Sequence, residues 1–188
     1  AWCDFNETWG IGHGGYKSDR FEWVERMYRL TRQLDPTRLV EDNSPCGYDH
    51  LVTDINSWHF YINDYDMARR HIGEVVEKTH PGSKFNFTGG RTQGNQPLIN
   101  SEYGGIGCGN GDQDVSWCFK FLTNELRLHD KIGGYVYTEL SDIEWEHNGF
   151  VNYDRTAKQF GYEFWFPGMT LADLNAADFV AIDAPPMI

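Results

Sequence analysis

The amino-acid sequence predicts an α/β protein whose parallel sheet is covered by helices. Short apolar segments alternate with longer segments of helical periodicity along the 188 residues, in the order strand, helix, strand. Five strands and at least three helices follow one another in this way, without an internal repeat or a low-complexity stretch. Strands in this order fit either an open doubly wound sheet or the second half of an eight-stranded barrel.

The first half of the chain contains three predicted strands and two predicted helices. Residues 1–5 are short and apolar, which is typical of a buried strand. Residues 19–34 carry apolar side chains at spacings of three and four, and residues 64–79 form a second helix. Short strands are predicted over residues 39–41 and 54–59.

The helix over residues 19–34 has the clearest boundaries. Ser18 or Asp19 can cap its first turn, because their side-chain oxygens accept hydrogen bonds from the helix N–H groups. The dipeptide Asp35-Pro36 ends the helix, because proline lacks the N–H group that helical pairing needs.

The second half of the chain continues the alternation. Residues 82–96 have the composition of a loop, and a strand follows over residues 97–101 with proline at its start. A third helix is predicted over residues 113–130 and a final strand over residues 134–138. Residues 140–154 form a polar loop.

The end of the chain differs in composition from the rest. A short helix is predicted over residues 156–165, and a mixed segment with several prolines follows it. Residues 1–165 are therefore assigned to one domain. Residues 166–188 are assigned to a linker or the start of a further module.

The composition disfavours several classes of partner. The chain has 28 acidic against 16 basic residues, a net charge of −12, which opposes binding to a phosphate backbone and predicts no nucleic-acid partner. No apolar run approaches the roughly 18 residues of a membrane span. The four cysteines are scattered, and no nucleotide-binding glycine motif follows a strand, so neither a metal nor a cofactor is predicted.

Two glutamates stand where predicted strands end. Glu7 follows the first strand in the pair Asn6-Glu7, and Glu102 follows the fourth strand. Because a parallel α/β barrel carries its chemistry at the carboxyl ends of its strands, both side chains are expected at one mouth. A retaining glycosidase needs such a pair, an acid and a nucleophile about 5–5.5 Å apart. Asn6 offers an amide to a sugar hydroxyl, and Tyr103 offers a phenol.

Aromatic residues make up 15% of the chain and cluster near the predicted strand ends. Sugars present apolar C–H faces that pack on aromatic rings, so some of these residues are candidates for substrate binding. Trp58 and Trp145 are the best candidates for exposed rings. Trp23 and Trp117 lie on predicted helices and are expected in the core.

Other polar groups have weaker functional signals. Glu41, Asp42 and Asp49 could be considered as metal ligands, but they are interpreted as an ordinary acidic loop. Ser44 lacks the GxSxG context of a serine nucleophile. A polar cluster after the last strand could line a substrate pocket and consists of Asp142, Glu144, Glu146 and His147.

The blocks FNETWG and LINSEYGG, in this order, resemble glycoside hydrolase family 2, the group of β-galactosidases, β-glucuronidases and β-mannosidases. GGYVYTELSD and NGFVNYDR are similar to the family's eighth strand and the loop after it. In that family an Asn-Glu pair ends barrel strand four, and a glutamate in an SEYG-like motif ends strand seven. The resemblance spans about residues 1–165 and implies a (β/α)8 TIM barrel, represented here by about strands four to eight.

The resemblance also implies roles for single residues. Glu7 matches the general acid/base, and Glu102 matches the nucleophile. Asn6 matches the residue that binds the sugar 2-hydroxyl. Further contacts with the nucleophile or the sugar are implied for His59, Tyr61 and Tyr137.

The implied activity is that of a retaining exo-β-glycosidase, which hydrolyses β-glycosides through a glycosyl-enzyme intermediate. The tripeptide 146–148 lacks the lysine found in glucuronide-cleaving members, so a neutral sugar is favoured, a β-galactoside first. The remainder of the parent polypeptide, or another copy of the chain, would complete the barrel around a carbohydrate substrate. Two alternatives remain open: a non-catalytic carbohydrate-binding remnant, and an endo-acting β-glycanase of the mannanase or cellulase kind with the same acid pair.

Overall fold

The computed structural model describes residues 1–8, 16–105 and 114–181. The strands form two sheets, with β1 beside β2 and with β3, β4 and β5 in that order. The pairs β1–β2 and β4–β5 are parallel. The strands are β1 (Trp2–Cys3), β2 (Val40–Glu41), β3 (Asn56–Tyr61), β4 (Leu98–Gly104) and β5 (Ile132–Tyr137).

Helices separate most of the strands along the chain. A 3-10 turn precedes α1, and two short helices follow β5. The helices are α1 (Phe21–Leu34), α2 (Tyr65–Lys78), α3 (Ser116–Arg127), α4 (Gly161–Trp165) and α5 (Leu171–Leu174). The predicted α/β class with parallel strands is confirmed, and each predicted strand and helix overlaps an observed one.

The first strand is not the buried strand that the sequence predicts. It is two residues long, both are exposed, and the Trp2 side chain is 52% exposed. Within the described residues β1 is hydrogen-bonded only to β2, so one of its edges carries no strand. An isolated bridge between Asn6 and Ser44 continues the pairing beyond the strand.

The ends of α1 follow different rules. The segment Ser18–Arg20 forms a 3-10 turn, and no side-chain capping bond is present at the helix start in the described chain, so the predicted cap is wrong. The helix ends as predicted, because Asp35 precedes proline and adopts extended angles.

Trp23 and Trp117 are 45% and 43% exposed rather than in the core. Both rings lie outside the buried face of their helix, which includes Val24 in α1 and Leu122 in α3.

The described chain divides into two compact units. The first comprises residues Ala1–Phe60, Arg70–Tyr103 and Lys131–Tyr137, and its interior contains Trp58, Ile72 and several polar groups.

The second unit holds α3, which contacts both α4 and α5. Leu122, Leu126 and Leu174 are buried there. None of the described helices combines the length and the apolar character that crossing a bilayer requires.

Candidate active site

Three side chains meet at the ends of β1, β3 and β4. His59 Nδ1 lies 2.8 Å from Glu7 Oε1 and 3.5 Å from Glu102 Oε2. A ring nitrogen of His59 and one oxygen of each carboxylate all lie within 4.8 Å of one another. The glutamate side chains are 19% and 18% exposed, whereas the histidine side chain is 2% exposed. The structure therefore brings the two glutamates together at a partly open place, in contact with a buried imidazole.

Glu7 leaves β1 through a turn with left-handed backbone angles. The φ angles of Glu7 and Thr8 are 52° and 56°, a region that residues with side chains rarely adopt. Two contacts hold this turn: the Ser44 carbonyl accepts the Glu7 N–H at 2.8 Å, and Asn43 Oδ1 accepts the Thr8 N–H at 3.2 Å. The Asn43 amide donates to Asp49 Oδ1 at 3.0 Å, so the segment after β2 orients Glu7.

His59 is held at its other nitrogen by a serine. Ser44 Oγ lies 2.6 Å from His59 Nε2 and 2.8 Å from Ser101 Oγ. Ser101 directly precedes Glu102 in β4. These contacts link the segments that carry both glutamates to the histidine between them.

The acidic loop after β2 is buried, which corrects its interpretation as an ordinary acidic loop. Glu41, Asp42 and Asp49 are 6%, 0% and 3% exposed. His50 Nδ1 donates to Asp42 Oδ1 at 2.7 Å, and the Leu51 N–H donates to Asp42 Oδ2 at 2.7 Å. Buried charges are tolerated when they are paired and hydrogen-bonded in this way.

The pKa values of three buried side chains in this loop differ from their ordinary values. Loss of hydration raises the pKa of Glu41 and of Asp49, although a hydrogen bond from Ser57 partly lowers the pKa of Glu41. Burial alone would lower the pKa of His50. The charge of Asp42, its hydrogen bond to the ring and the charge of Glu41 outweigh that effect, so the pKa of His50 is raised.

Trp58 and Tyr103 are fully buried, both 0% exposed. Their rings face Phe60, with centroid distances of 6.4 and 6.0 Å. Successive residues of a strand point to opposite faces, so Trp58 and Phe60 lie on the face opposite His59. The prediction of an exposed ring at Trp58 is therefore wrong, whereas Trp145 is 62% exposed, as predicted.

The remaining predicted substrate contacts lie at strand ends. Asn6 is exposed and pairs with Ser44 in an isolated bridge. Tyr61 ends β3 and Tyr137 ends β5, and both are half-buried. The Tyr137 ring contacts Tyr103 edge to face, with centroids 5.5 Å apart. The roles of these residues toward a sugar stay predictions.

The polar cluster after β5 lines a cavity of about 430 Å³ in the second unit. Asp142, Glu144 and His147 contribute to its wall. Lys158 Nζ lies 2.7 Å from Asp142 Oδ1 in a buried ion pair and donates to the His147 carbonyl at 3.0 Å. The charge of Lys158 is therefore already paired with that of a residue in the cavity wall.

The donor set of the first unit's site could also hold a divalent cation. An imidazole nitrogen with two carboxylate oxygens, from His59, Glu7 and Glu102, is a combination that zinc accepts. The sequence predicted no metal ligands here, because these three residues are far apart in the chain.

Sequence reasoning missed the residues that support the site. Asn43, Ser44 and Ser101 carry no catalytic motif, and each acts through a contact with a distant segment. One feature of the sequence could have indicated Asn43 and Ser44. Asn43 and Ser44 follow a parallel strand directly, at the same edge where Glu7 and Glu102 were expected.

Comparisons with known proteins give a fold but no family assignment. No protein-family model matches the chain, and no similar curated protein was found. A glycoside hydrolase family 2 β-galacturonidase from Eisenbergiella tayi, bound to galacturonate, is similar with a TM-score of 0.57 and 15% identity over 76% of this chain. An FMN-binding β-glucuronidase from Faecalibacterium prausnitzii L2-6 is similar with a TM-score of 0.59 and 16% identity over 84%.

A β-D-glucuronidase from Dictyoglomus thermophilum gives a TM-score of 0.53 and 16% identity over 80% of this chain. The chain spans 29%, 27% and 30% of the lengths of these three proteins. At such identities the likeness concerns the fold alone. The described chain thus has a mixed α/β fold with parallel sheets, similar to part of several glycosidase structures.

Proposed function

We propose that this chain is the C-terminal part of a glycosidase TIM barrel, about strands four to eight, and that the complete protein is a retaining exo-β-glycosidase. The observation that carries the proposal is the meeting of Glu7 and Glu102 at two strand ends, with an oxygen of each within 4.8 Å. The nearest oxygens are thus closer than the roughly 6.5–9.5 Å that separate the carboxyl groups of an inverting pair, which favours a retaining mechanism. The glycosidase-like fold supports the same reading.

In the proposed mechanism Glu102 attacks the anomeric carbon while Glu7 protonates the departing glycosidic oxygen. The bond between sugar and leaving group breaks, and an ester between the sugar and Glu102 forms. Glu7, now ionised, then removes a proton from water, and that water attacks the same carbon and releases Glu102. Asn6 would bind the 2-hydroxyl group, and Tyr61 and Tyr137 would contact the sugar.

The proposed substrate is a β-glycoside of a neutral sugar, with a β-galactoside first. The support comes from the sequence: the tripeptide 146–148 lacks the lysine that glucuronide-cleaving members of the resembling family have there. The similar structures include a β-galacturonidase and β-glucuronidases, which favours β-uronides as the second candidate. A lysine or arginine side chain from the rest of the polypeptide would then have to pair with the sugar carboxylate.

We also propose that the remainder of the parent polypeptide completes the barrel, with another copy of the chain as the alternative. Both residues of β1 are exposed, and Val136 of β5 is 55% exposed. Parallel barrel strands are normally covered on both faces, so these strands lack the cover that a closed barrel supplies. The boundary between residues 1–165 and a linker or module at 166–188 is part of this proposal.

The decisive experiment uses the complete polypeptide that carries residues 1–188. A panel of p-nitrophenyl β-glycosides, neutral and uronic, identifies the sugar. A matching 2-deoxy-2-fluoro glycoside should then label the carboxylate of Glu102, located by peptide mass mapping. Glu102→Gln should abolish both turnover and labelling, and Glu22→Gln, an exposed glutamate on α1, should retain both.

Each contrary outcome has a defined meaning. Full turnover by Glu102→Gln, or labelling at another residue, removes the assignment of the nucleophile. Binding of sugars without hydrolysis indicates the non-catalytic carbohydrate-binding remnant. Cleavage of polymeric mannan or cellulose in preference to aryl glycosides indicates the endo-acting enzyme.

A further inference from the structure

Asn43 contacts the turn that carries Glu7. It is fully buried, and it follows β2 by two residues. Its Oδ1 accepts the Thr8 N–H at 3.2 Å, and Thr8 is itself only 2% exposed, so water does not readily replace a lost acceptor there. The Asn43 amide is therefore the side-chain partner of the second residue in the turn.

Asp49 fixes the orientation of the Asn43 amide. Asn43 Nδ2 donates to Asp49 Oδ1 at 3.0 Å, and the Tyr16 N–H donates to Asp49 Oδ2 at 3.0 Å. Tyr16 belongs to a buried apolar cluster, so the Asp49 carboxylate is attached to the interior of the first unit. An Asn43 amide rotated by 180° would point its NH2 group at the Thr8 N–H and its oxygen at a carboxylate. Only one orientation therefore satisfies both neighbours.

The turn itself has an unfavourable backbone conformation. Glu7 and Thr8 have φ angles of 52° and 56°, which cost free energy in residues other than glycine. Such angles persist only where surrounding contacts hold them. The Ser44 carbonyl holds the Glu7 N–H, and Asn43 holds the Thr8 N–H. Without the Asn43 contact the turn can relax, and the Glu7 carboxylate then leaves its place 2.8 Å from His59 Nδ1.

We propose that Asn43 and Asp49 are positioning residues for the general acid/base: the Asp49 carboxylate orients the Asn43 amide, and this amide holds the turn that places Glu7 at the departing glycosidic oxygen. This inference rests on the proposed function of Glu7. A displacement of about 1 Å can slow a reaction about a hundredfold. Glu102 lies on β4, outside this turn, so its attack on the anomeric carbon should depend on the pair much less than protonation of the leaving group does.

Two single substitutions break the pair in different ways. Asn43→Ala removes the acceptor of the Thr8 N–H. Asp49→Asn retains Asn43, but in either orientation of the new amide an NH2 group faces another donor. In the complete polypeptide, each substitution should slow hydrolysis of alkyl β-glycosides, which need protonation of the leaving group, roughly tenfold or more. The first step with a 2,4-dinitrophenyl β-glycoside, whose leaving group needs no proton, should stay within about twofold.

A reciprocal exchange is the matched control. In the double variant Asn43→Asp/Asp49→Asn, the carboxylate at position 43 accepts the Thr8 N–H and the new amide, and the amide oxygen at position 49 accepts the Tyr16 N–H. All three hydrogen bonds are restored with the middle one reversed, so hydrolysis of alkyl β-glycosides should recover to within about threefold of the wild type. Asn86→Ala removes another buried amide of the same unit and should not distinguish the two substrates.

Hydrogen exchange gives a readout that does not need activity. The Thr8 N–H, followed by mass spectrometry with fragmentation, should exchange slowly in the wild type and in the double variant. It should exchange roughly tenfold faster or more in Asn43→Ala and Asp49→Asn. Unchanged Thr8 exchange in Asp49→Asn overturns the link between the pair and the turn.

The outcomes distinguish this inference from the proposed function. Equal slowing of both substrates in Asp49→Asn, or no recovery in the double variant, overturns the positioning role while the glycosidase assignment stands. If no β-glycoside is hydrolysed, the proposed function fails, and Thr8 exchange alone decides whether the pair holds the turn. If Asn43→Ala does not fold, Asp49→Asn and the double variant decide, because they conserve the size of both side chains.

Discussion

Asp42 and His50 meet in the interior of the first unit, where both side chains are 0% exposed. Asp42 also accepts the N–H groups of Leu51 and Val52. A single carboxylate therefore satisfies a ring and two backbone groups. It lies two residues before Ser44, so the stability of this loop and the geometry of the site depend on the same segment.

Asp42→Asn should destabilise the fold by about 3 kcal/mol, because it removes one partner of a buried charged pair. Urea unfolding at pH 7 measures the change in the free energy of unfolding. Asp19→Asn, at an exposed acidic residue, should change it by less than about 0.5 kcal/mol. If Asp42→Asn lowers the free energy of unfolding no more than Asp19→Asn does, the pair of Asp42 and His50 does not stabilise the fold.

Glu41 makes the stability depend on pH in an unusual direction. Burial raises its pKa above the usual 4.5, so the folded chain binds a proton more readily than the unfolded chain. Stability from this residue is therefore highest below pH 4.5 and declines as the pH rises through the raised folded value. Each unit of such a shift corresponds to about 1.4 kcal/mol.

Glu41→Gln should remove this decline, because glutamine does not ionise and can still accept the Ser57 hydroxyl. Unfolding free energies of variant and wild type are compared at pH 4 and pH 7. The variant should gain relative to the wild type as the pH rises. If the difference in unfolding free energy between variant and wild type does not change with pH, the ionisation of Glu41 does not destabilise the fold.

At the scale of elements, Asp54 joins α1 to β2. Tyr28 and Arg32 on the helix donate to its two oxygens at 2.7 and 3.0 Å. The N–H of Val40, a fully buried residue of β2, donates to Asp54 Oδ2 at 2.9 Å. The helix that follows Glu7 in the chain is thereby fixed to the strand that precedes Ser44.

Asp54→Ala should destabilise the fold by about 2–4 kcal/mol, because it leaves a buried N–H and two side-chain donors without their acceptor. Burial and the hydrogen bond to Asp54 raise the pKa of Tyr28 to about 12, so the variant should also bring this pKa closer to 10. Urea unfolding and ultraviolet titration measure the two effects. Asp130→Ala, at an exposed residue, is the control.

Strand alternation explains why two neighbouring candidate residues of β3 have different surroundings. His59 and Trp58 are neighbours in β3, so their side chains must point to opposite faces. Predicting both as substrate contacts violated that rule. The Trp58 ring lies in the interior, where it packs against Phe60. The His59 ring lies on the other face, where Ser44 and Glu7 contact its two nitrogens.

At the scale of the whole molecule, apolar groups of the first unit remain in contact with water. Trp2 and Leu34 are 52% and 76% exposed, and β1 presents an edge without a strand partner among the described residues. Exposed edges and apolar side chains favour association with further chain. This pattern supports the proposal that additional polypeptide covers these groups.

Leu34→Lys should have different effects in the complete polypeptide and in residues 1–188 alone. In the complete polypeptide, where Leu34 would be covered, the substitution should lower the free energy of unfolding by about 2 kcal/mol, because it buries an unpaired charge. In residues 1–188 alone it should leave stability within about 0.5 kcal/mol and reduce self-association, measured by light scattering. Equal effects in both would show that Leu34 stays exposed.

Local sequence was sufficient for the kinds of elements and their order. These signals depend on residues that are close in the sequence. They include the periodicity of the helices and strands, the helix end at Asp35-Pro36 and the loop composition of residues 82–96, and the structure agrees with each of them. The expectation that Glu7 and Glu102 share a neighbourhood followed from one general rule about strand ends.

Tertiary structure alone decided which polar groups support that pair. Ser44, His59 and Ser101 come from three separate segments, and their contacts are set by how the strands align, which no local pattern encodes. The burial of Asp42 and His50 and the exposure of Trp23 were decided in the same way. Burial depends on which surfaces meet in the folded chain, because hydration is lost only where another segment covers a side chain.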